Sequence, residues 1–306
     1  MMKGTAKLLN NCHSLNTIVI RSWCPVTTVS NNINVLSRRD AHSTIDTRDY
    51  FHEPNNNKVL DTFWDPKGTF RVLHLWNYLR LPFIRDGLVH VAPGEKFSTC
   101  LKGKKILEVG CGGGILSEGL AKYGANVTGI DTCEKVLEIA IDHSSKNKRL
   151  ANNKPTYILS AIEDHCISYP NTYDAIVVSE VIEHVAQKEL FVECCVRATK
   201  PGGKLFFTTP SRTRFAQFYM IFLFEKILKC YAKNGHQYDT FMTPSELKFM
   251  LETNDCHVED IKGYIYYPLA DQWAWTNHKL FSFAMKAVKL PSKNENDNPI
   301  IADNSY

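Results

Sequence analysis

Two clusters in this chain hold residues that can do chemistry. The first is the run SEVIEHV, which sets Glu180, Glu183 and His184 at positions i, i+3 and i+4. On a helix that spacing puts all three side chains on one face. Two carboxylates and an imidazole together can hold a divalent cation, and oxygen-rich ligation suits Mg²⁺. His184 or Glu180 could instead take a proton as general base. The second cluster is ILEVGCGGGILSEGLAKYGANVTGID, Ile106 to Asp131. Here an apolar run ends at Val109, Gly110, Gly112, Gly113 and Gly114 make a dense turn, and a helical pattern follows at once. Such a turn lets the backbone approach a ligand closely, and the helix behind it offers unpaired N–H groups. Asp131, about 20 residues further on, is placed to accept from ribose hydroxyls.

Both clusters need a scaffold, and the hydrophobic pattern supplies one. Strands are expected at Lys105–Val109, Asn126–Ile130, Thr156–Leu159, Tyr173–Ser179 and Gly203–Thr208. Helices are expected at Leu116–Tyr123, Glu134–Asn147, Lys188–Ala198 and Pro244–Thr253, with closing strands at His257–Tyr266 and Phe281–Val288. This alternation predicts an α/β fold with a doubly wound, mostly parallel sheet. Residues 59–85 read as one or two capping helices in front of it.

Composition bounds the rest. A chain of 306 residues with 44% hydrophobic and 22% charged content suits one large α/β domain, expected over residues 41–290. The first 40 residues carry Lys3, Lys7, Arg21, Arg38 and Arg39 and no acid before Asp40, amid many Ser, Thr and Asn residues. That is the composition of a mitochondrial transit peptide. The polar end, 291–306, is expected to be a disordered tail. A net charge of +4 without a nucleic-acid-binding motif argues for no nucleic-acid partner. Ten cysteines without a CxxC pair read as reduced thiols. The stretch Arg212 to His236 sets Phe215, Phe218, Tyr219, Phe222 and Ile227 near helical spacing with basic flanks. It suits an element lying on anionic lipid, with a buried lid as the alternative.

The turn Glu108-x-Gly110-x-Gly112-x-Gly114, Ser179-Glu180 after the fourth strand and Pro201-Gly202-Gly203 before the fifth resemble the landmarks of class I methyltransferases. More specific runs extend the likeness: FWDPKGTFRVLHLWNYLRLPFIRD (63–86), RATKPGGKLFFTTPSR, HQYDTFMTPSEL and YYPLADQWAW. With them the chain resembles the O-methyltransferase family of ubiquinone biosynthesis from about Asp61 to Lys289. The resemblance implies S-adenosylmethionine as cofactor and phenolic or catechol hydroxyls of polyprenylated ring intermediates as acceptors, at two steps. It implies that Arg80, Gly110, Gly112, Asp131 and Ser179 contact the cofactor and that Glu180, Glu183 and His184 hold Mg²⁺. It also implies peripheral attachment to the matrix side of the mitochondrial inner membrane, in a multi-enzyme complex. A methyltransferase for another acceptor, or an inactive scaffold on the same fold, is the alternative. Three departures are visible: Phe63-Trp64-Asp65 stands where the family usually has two tryptophans before the aspartate, FHEPNNNKV after Asp46 does not match the usual lead-in helix, and Gln237 follows His236 where an acidic residue is expected.

Overall fold

Alternate residues of the central strands part to opposite faces, and each face meets its own helices. In this computed structural model, which describes residues 60–91, 94, 96–220 and 238–291, β1 is Lys105–Val109, β2 Asn126–Asp131 and β3 Thr156–Leu159. β4 is Tyr173–Ser179 and β5 Thr199–Pro210. The expected transit segment 1–40, the tail beyond Pro291 and most of the 212–236 insert lie outside the described residues.

Helix α1 spans Arg71–Leu88, α2 Ile115–Lys122, α3 Glu134–Lys146 and α4 Ile162–Ser168. α5 is Lys188–Ala198, α6 Arg214–Met220 and α7 Pro244–Glu252. On one face Leu107, Val109, Ile176, Val178 and Phe207 pack with Phe191 and Cys195 of α5 and Leu247 and Leu251 of α7. On the other, Ile106, Ala175, Val177 and Phe206 pack with Trp76 and Ile84 of α1 and Leu116 and Leu120 of α2. Strands buried on both faces explain the nearly continuous apolar runs of β1 and β4. Each large side chain so buried contributes about 1.5–3 kcal/mol.

The last strands are β6 (Cys256–Tyr267), β7 (Gln272–Thr276) and β8 (Ser282–Lys289). The sheet order is β3-β2-β1-β4-β5-β8-β6-β7. β1 to β5 run parallel, and β8, β6 and β7 add on antiparallel. The doubly wound, mostly parallel sheet is therefore as expected. Strand order reverses between β1 and β4, so the crevice at their C-terminal ends is where such a sheet binds its ligand.

Three elements depart from the pattern. Residues 180–184 do not make an α-helix: Glu180 has φ +59° and only a single 3₁₀ turn, Ile182–His184, follows. The short helix α4 and the edge strand β7 were not anticipated. Among the described residues no helix is long and apolar enough to cross a membrane.

Candidate active site

The glycine turn after β1 is stitched to the end of β2. Gly110 and Cys111 both donate their N–H groups to the Ile130 carbonyl, at 2.8 and 3.0 Å. Asp131 holds two further loop amides: Gly112 donates to Oδ2 at 2.8 Å and Cys133 to Oδ1 at 2.9 Å. Gly110 has φ +71°, and a Cβ there would lie 2.4 Å from Val181 Cγ2. Only glycine lets the β1 loop seat directly on the β4 loop, which brings the two clusters into contact.

The segment before α1 lies across this turn. A Cβ on Gly113 would meet the Phe63 ring at 2.4 Å, and Trp64 Nε1 donates to the Gly113 carbonyl at 2.9 Å. Trp64 also stacks on His143 of α3, with centroids 3.5 Å apart and planes 5° from parallel. His143 is tied to the buried Glu118 at 2.6 Å. Phe63, one of the departures noted in the sequence, is thus the residue that covers the turn.

Arg80 projects from α1 and is buried, with 5% of its surface exposed. Its Nε donates to Asn77 Oδ1 at 2.7 Å and its Nη1 to Ser179 Oγ at 3.0 Å. Burial draws its pKa down to about 10, opposed by Glu108 and Glu180, so it remains a cation at neutral pH. A guanidinium has five N–H donors. Among the described residues no acceptor meets Nη2, which leaves one edge of a buried cation for an anionic ligand. Glu108 lies beneath the turn, 4% exposed, and accepts from Ser117 Oγ at 2.5 Å. Burial raises it to about 7, against the pull of Ser117 and Arg80.

From Arg80 a chain of hydroxyls leads to Glu180. Ser179 Oγ lies 2.9 Å from Thr208 Oγ1, and Thr208 donates to Glu180 Oε1 at 2.7 Å. Arginine can only donate and an ionised carboxylate can only accept. With Glu180 ionised each hydroxyl therefore passes its single hydrogen in one direction, from Arg80 to Glu180. Tyr264 of β6 donates to the same Oε1. Burial and Glu180 push the Tyr264 phenol well above its ordinary pKa, so it stays a donor. Its ring stacks on Trp76 at 4.2 Å, with Trp273 and Trp275 alongside. Glu180 itself is partly open at the crevice. Burial of its carboxyl and the neighbouring Glu183 still raise it to about 7, against Tyr264, Thr208 and Arg80. No described residue donates to its Oε2.

The remaining pair of the first cluster faces elsewhere. Glu183 is buried and accepts from Thr209 Oγ1 at 2.9 Å, while His184 Nε2 stays 4.0 Å from Glu183 Oε1. The shared face expected for Glu180, Glu183 and His184 needed a helix, and the left-handed backbone at Glu180 breaks it. Glu180 turns toward Thr208 and Tyr264, Glu183 toward Thr209. Among the described residues no three His, Cys, Asp or Glu side chains converge to hold a metal ion. The donor set as folded does not fit Mg²⁺.

The structure thus gathers Arg80, Ser179 and Glu180 in one network and Gly110, Gly112 and Asp131 in another, joined where Gly110 meets Val181. Sequence reasoning missed Asn77, Thr208 and Tyr264. Asn77 is one helical turn from Arg80, Thr208 pairs with Ser179 on the neighbouring strand, and Tyr264 stands two residues before the YYPLADQWAW run. Of the insert, α6 is described, with Phe215 64% and Phe218 73% exposed. Arg212, just before it, pairs with Glu246.

Residues 107–207 match the family model of a methyltransferase domain. The chain is 36% identical to the mitochondrial ubiquinone biosynthesis O-methyltransferase of Mus musculus over 249 residues, 81% of this chain and 66% of that protein. It is 36% identical to the Rattus norvegicus protein, over 83% of this chain and 73% of that one. With the ubiquinone biosynthesis O-methyltransferase of Actinobacillus pleuropneumoniae serotype 5b it shares 35% identity, over 72% of this chain and 90% of that protein. Among solved structures, magnesium protoporphyrin IX methyltransferase from Synechocystis PCC 6803, with S-adenosylmethionine bound, shares the fold: TM-score 0.52, 17% identity, 78% of this chain and 93% of that one. A glycine turn and an acidic turn meeting at a sheet's switch point, on a chain with these relatives, make this a methyltransferase that uses S-adenosylmethionine, and it belongs to the ubiquinone biosynthesis O-methyltransferase family.

Proposed function

We propose that the chain methylates phenolic or catechol hydroxyls of polyprenylated ubiquinone precursors, at both O-methylation steps of the pathway. The observation that carries the reading is the juxtaposition, at one switch point, of a buried arginine and a carboxylate with one oxygen anchored, each with an edge that no described residue meets. When bound, S-adenosylmethionine supplies an electrophilic methyl group, and the protein's task is alignment more than covalent chemistry. Arg80 Nη2 is set to receive the methionyl carboxylate, with Ser179 steadying Nη1. Asp131 is set to accept from the ribose hydroxyls, and Gly110 and Gly112 let the backbone come close. Glu180 Oε2 takes the phenolic proton, with His184 as the alternative base. A value near 7 suits a base working at neutral pH.

The family resemblance implies a magnesium site at Glu180, Glu183 and His184, which do not converge as folded. The mitochondrial names of the mammalian relatives and the transit-like start support action in that organelle, at the matrix face of the inner membrane. The exposed Phe215 and Phe218 support a lipid contact there. Association with other enzymes of the pathway rests on the resemblance.

The test is methyl transfer from S-adenosylmethionine to a short-chain prenylated catechol acid, first with Mg²⁺ and then with excess chelator. Transfer to the catechol oxygen is the expected result. No transfer by a protein that still binds the cofactor would remove the acceptor assignment. Loss on chelation with recovery on Mg²⁺ would restore the cation site. Transfer indifferent to chelation would leave Glu180 and His184 as proton acceptors and Glu183 in a structural role.

A further inference from the structure

Arg80 emerges from a helix remote in sequence from the glycine turn, yet its guanidinium must be held to a fraction of an ångström if it is to receive one end of a ligand whose other end lies on that turn. Burial alone does not orient it. The side chain that does is Asn77, one helical turn earlier on the same face of α1. Its Oδ1 accepts from Arg80 Nε at 2.7 Å, while its Nδ2 donates at 3.0 Å to the carbonyl of Ile115, the first residue of α2. Both partners fix the amide's direction: the guanidinium can only donate and the carbonyl can only accept, so neither bond survives a flip. One side chain therefore fastens the arginine to the helix that the glycine turn opens.

We infer that Asn77 is a positioning residue for the cofactor's carboxylate end. It locks Arg80 in register with the Gly110–Gly114 turn, leaving Nη2 as the edge presented to the ligand. Asn77 acts through Arg80 and does not touch the ligand. The inference rests on the assignment of Arg80 to the methionyl carboxylate.

The experiment compares two ligands on the full chain by calorimetry. S-adenosylhomocysteine carries the aminocarboxylate; 5′-methylthioadenosine carries the same nucleoside and thioether without it. Asn77→Leu removes both hydrogen bonds, and it should weaken S-adenosylhomocysteine about 10-fold or more while leaving methylthioadenosine unchanged. Asn77→Ala makes the same comparison should the leucine variant fail to fold, because methylthioadenosine binding itself reports an intact nucleoside site. A general packing defect would weaken both ligands together, and that outcome overturns the inference. So does wild-type affinity for both ligands. Arg80→Gln separates this inference from the assignment beneath it. If Arg80→Gln loses S-adenosylhomocysteine selectively and Asn77→Leu does not, Asn77 alone falls. If Arg80→Gln binds both ligands as wild type does, the carboxylate assignment falls and takes the inference with it.

Discussion

Tyr264 gives its phenolic hydrogen to Oε1 of Glu180, the oxygen that also accepts the Thr208 hydroxyl. Two neutral donors on one oxygen fix the carboxylate from below and leave Oε2 at the crevice. Tyr264→Phe removes one of them without creating a cavity. A hydrogen bond to a charged group contributes about 1.5–3 kcal/mol, so kcat should fall about 10-fold or more. The Michaelis constant for S-adenosylmethionine should change less, because the hydrogen bond lost is the one to Glu180. Steady-state kinetics with the catechol acceptor check this, and a change confined to the cofactor's Michaelis constant would speak against it.

Asp131 serves the loop as well as the ligand. Asp131→Ala should leave the Gly112 and Cys133 amides without their acceptors and weaken S-adenosylhomocysteine about 10-fold or more. Asp131→Asn, which keeps a carbonyl oxygen for one amide, should fall between. Calorimetric titration gives both numbers, and unchanged affinity in the alanine variant would remove the ribose role.

Gly110→Ala tests the seat between the two loops. The added methyl would meet Val181 Cγ2 at 2.4 Å on a left-handed backbone. Strain and overlap together should cost about 2 kcal/mol or more. The readout is the denaturation midpoint, and pairing the change with Val181→Ala should recover part of the loss. No recovery would mean that the strain lies in the backbone alone.

His165 gives the pH dependence. Buried beside Tyr173, with Nε2 2.7 Å from the phenolic oxygen, it has its pKa lowered to about 4 by burial. An unfolded histidine titrates near 6.5. Between those values the unfolded chain binds a proton that the folded chain refuses, so unfolding free energy rises with pH across that window and levels off above it. Denaturant titrations at pH 5, 6 and 7 should show this rise, and His165→Gln should flatten it. An unaltered slope in the variant would assign the titration to other groups.

The parallel core was legible because strands covered on both faces spell themselves in Ile, Leu and Val, as β1 and β4 do. The cofactor turn was legible because glycine density and a following aspartate have few other uses. What could not be read was direction. The spacing of Glu180, Glu183 and His184 is helical, but a left-handed residue at 180 sends the two carboxylates to different threonines, and no one-dimensional pattern encodes that φ. Asn77, Thr208 and Tyr264 were hidden for a related reason: each matters through a partner 28 to 84 residues away or through a bond across two helices. Helix α4, with only seven residues, is too short for its periodicity to speak.

The sheet order also sets a sequence of events for the growing chain. β8 stands between β5 and β6, so the strand that carries Tyr264 has no neighbour on the main sheet until residues 282–289 have been made. A nascent chain can already form the β1–β2 pair that holds the glycine turn and Asp131, while Glu180 still lacks its phenolic partner and α1, which carries Arg80, still lacks the Tyr264 ring that stacks on Trp76. The nucleoside end of the cofactor site should therefore mature before its carboxylate end and before turnover, and a chain stopped short of β8 would lack the finished catalytic carboxylate.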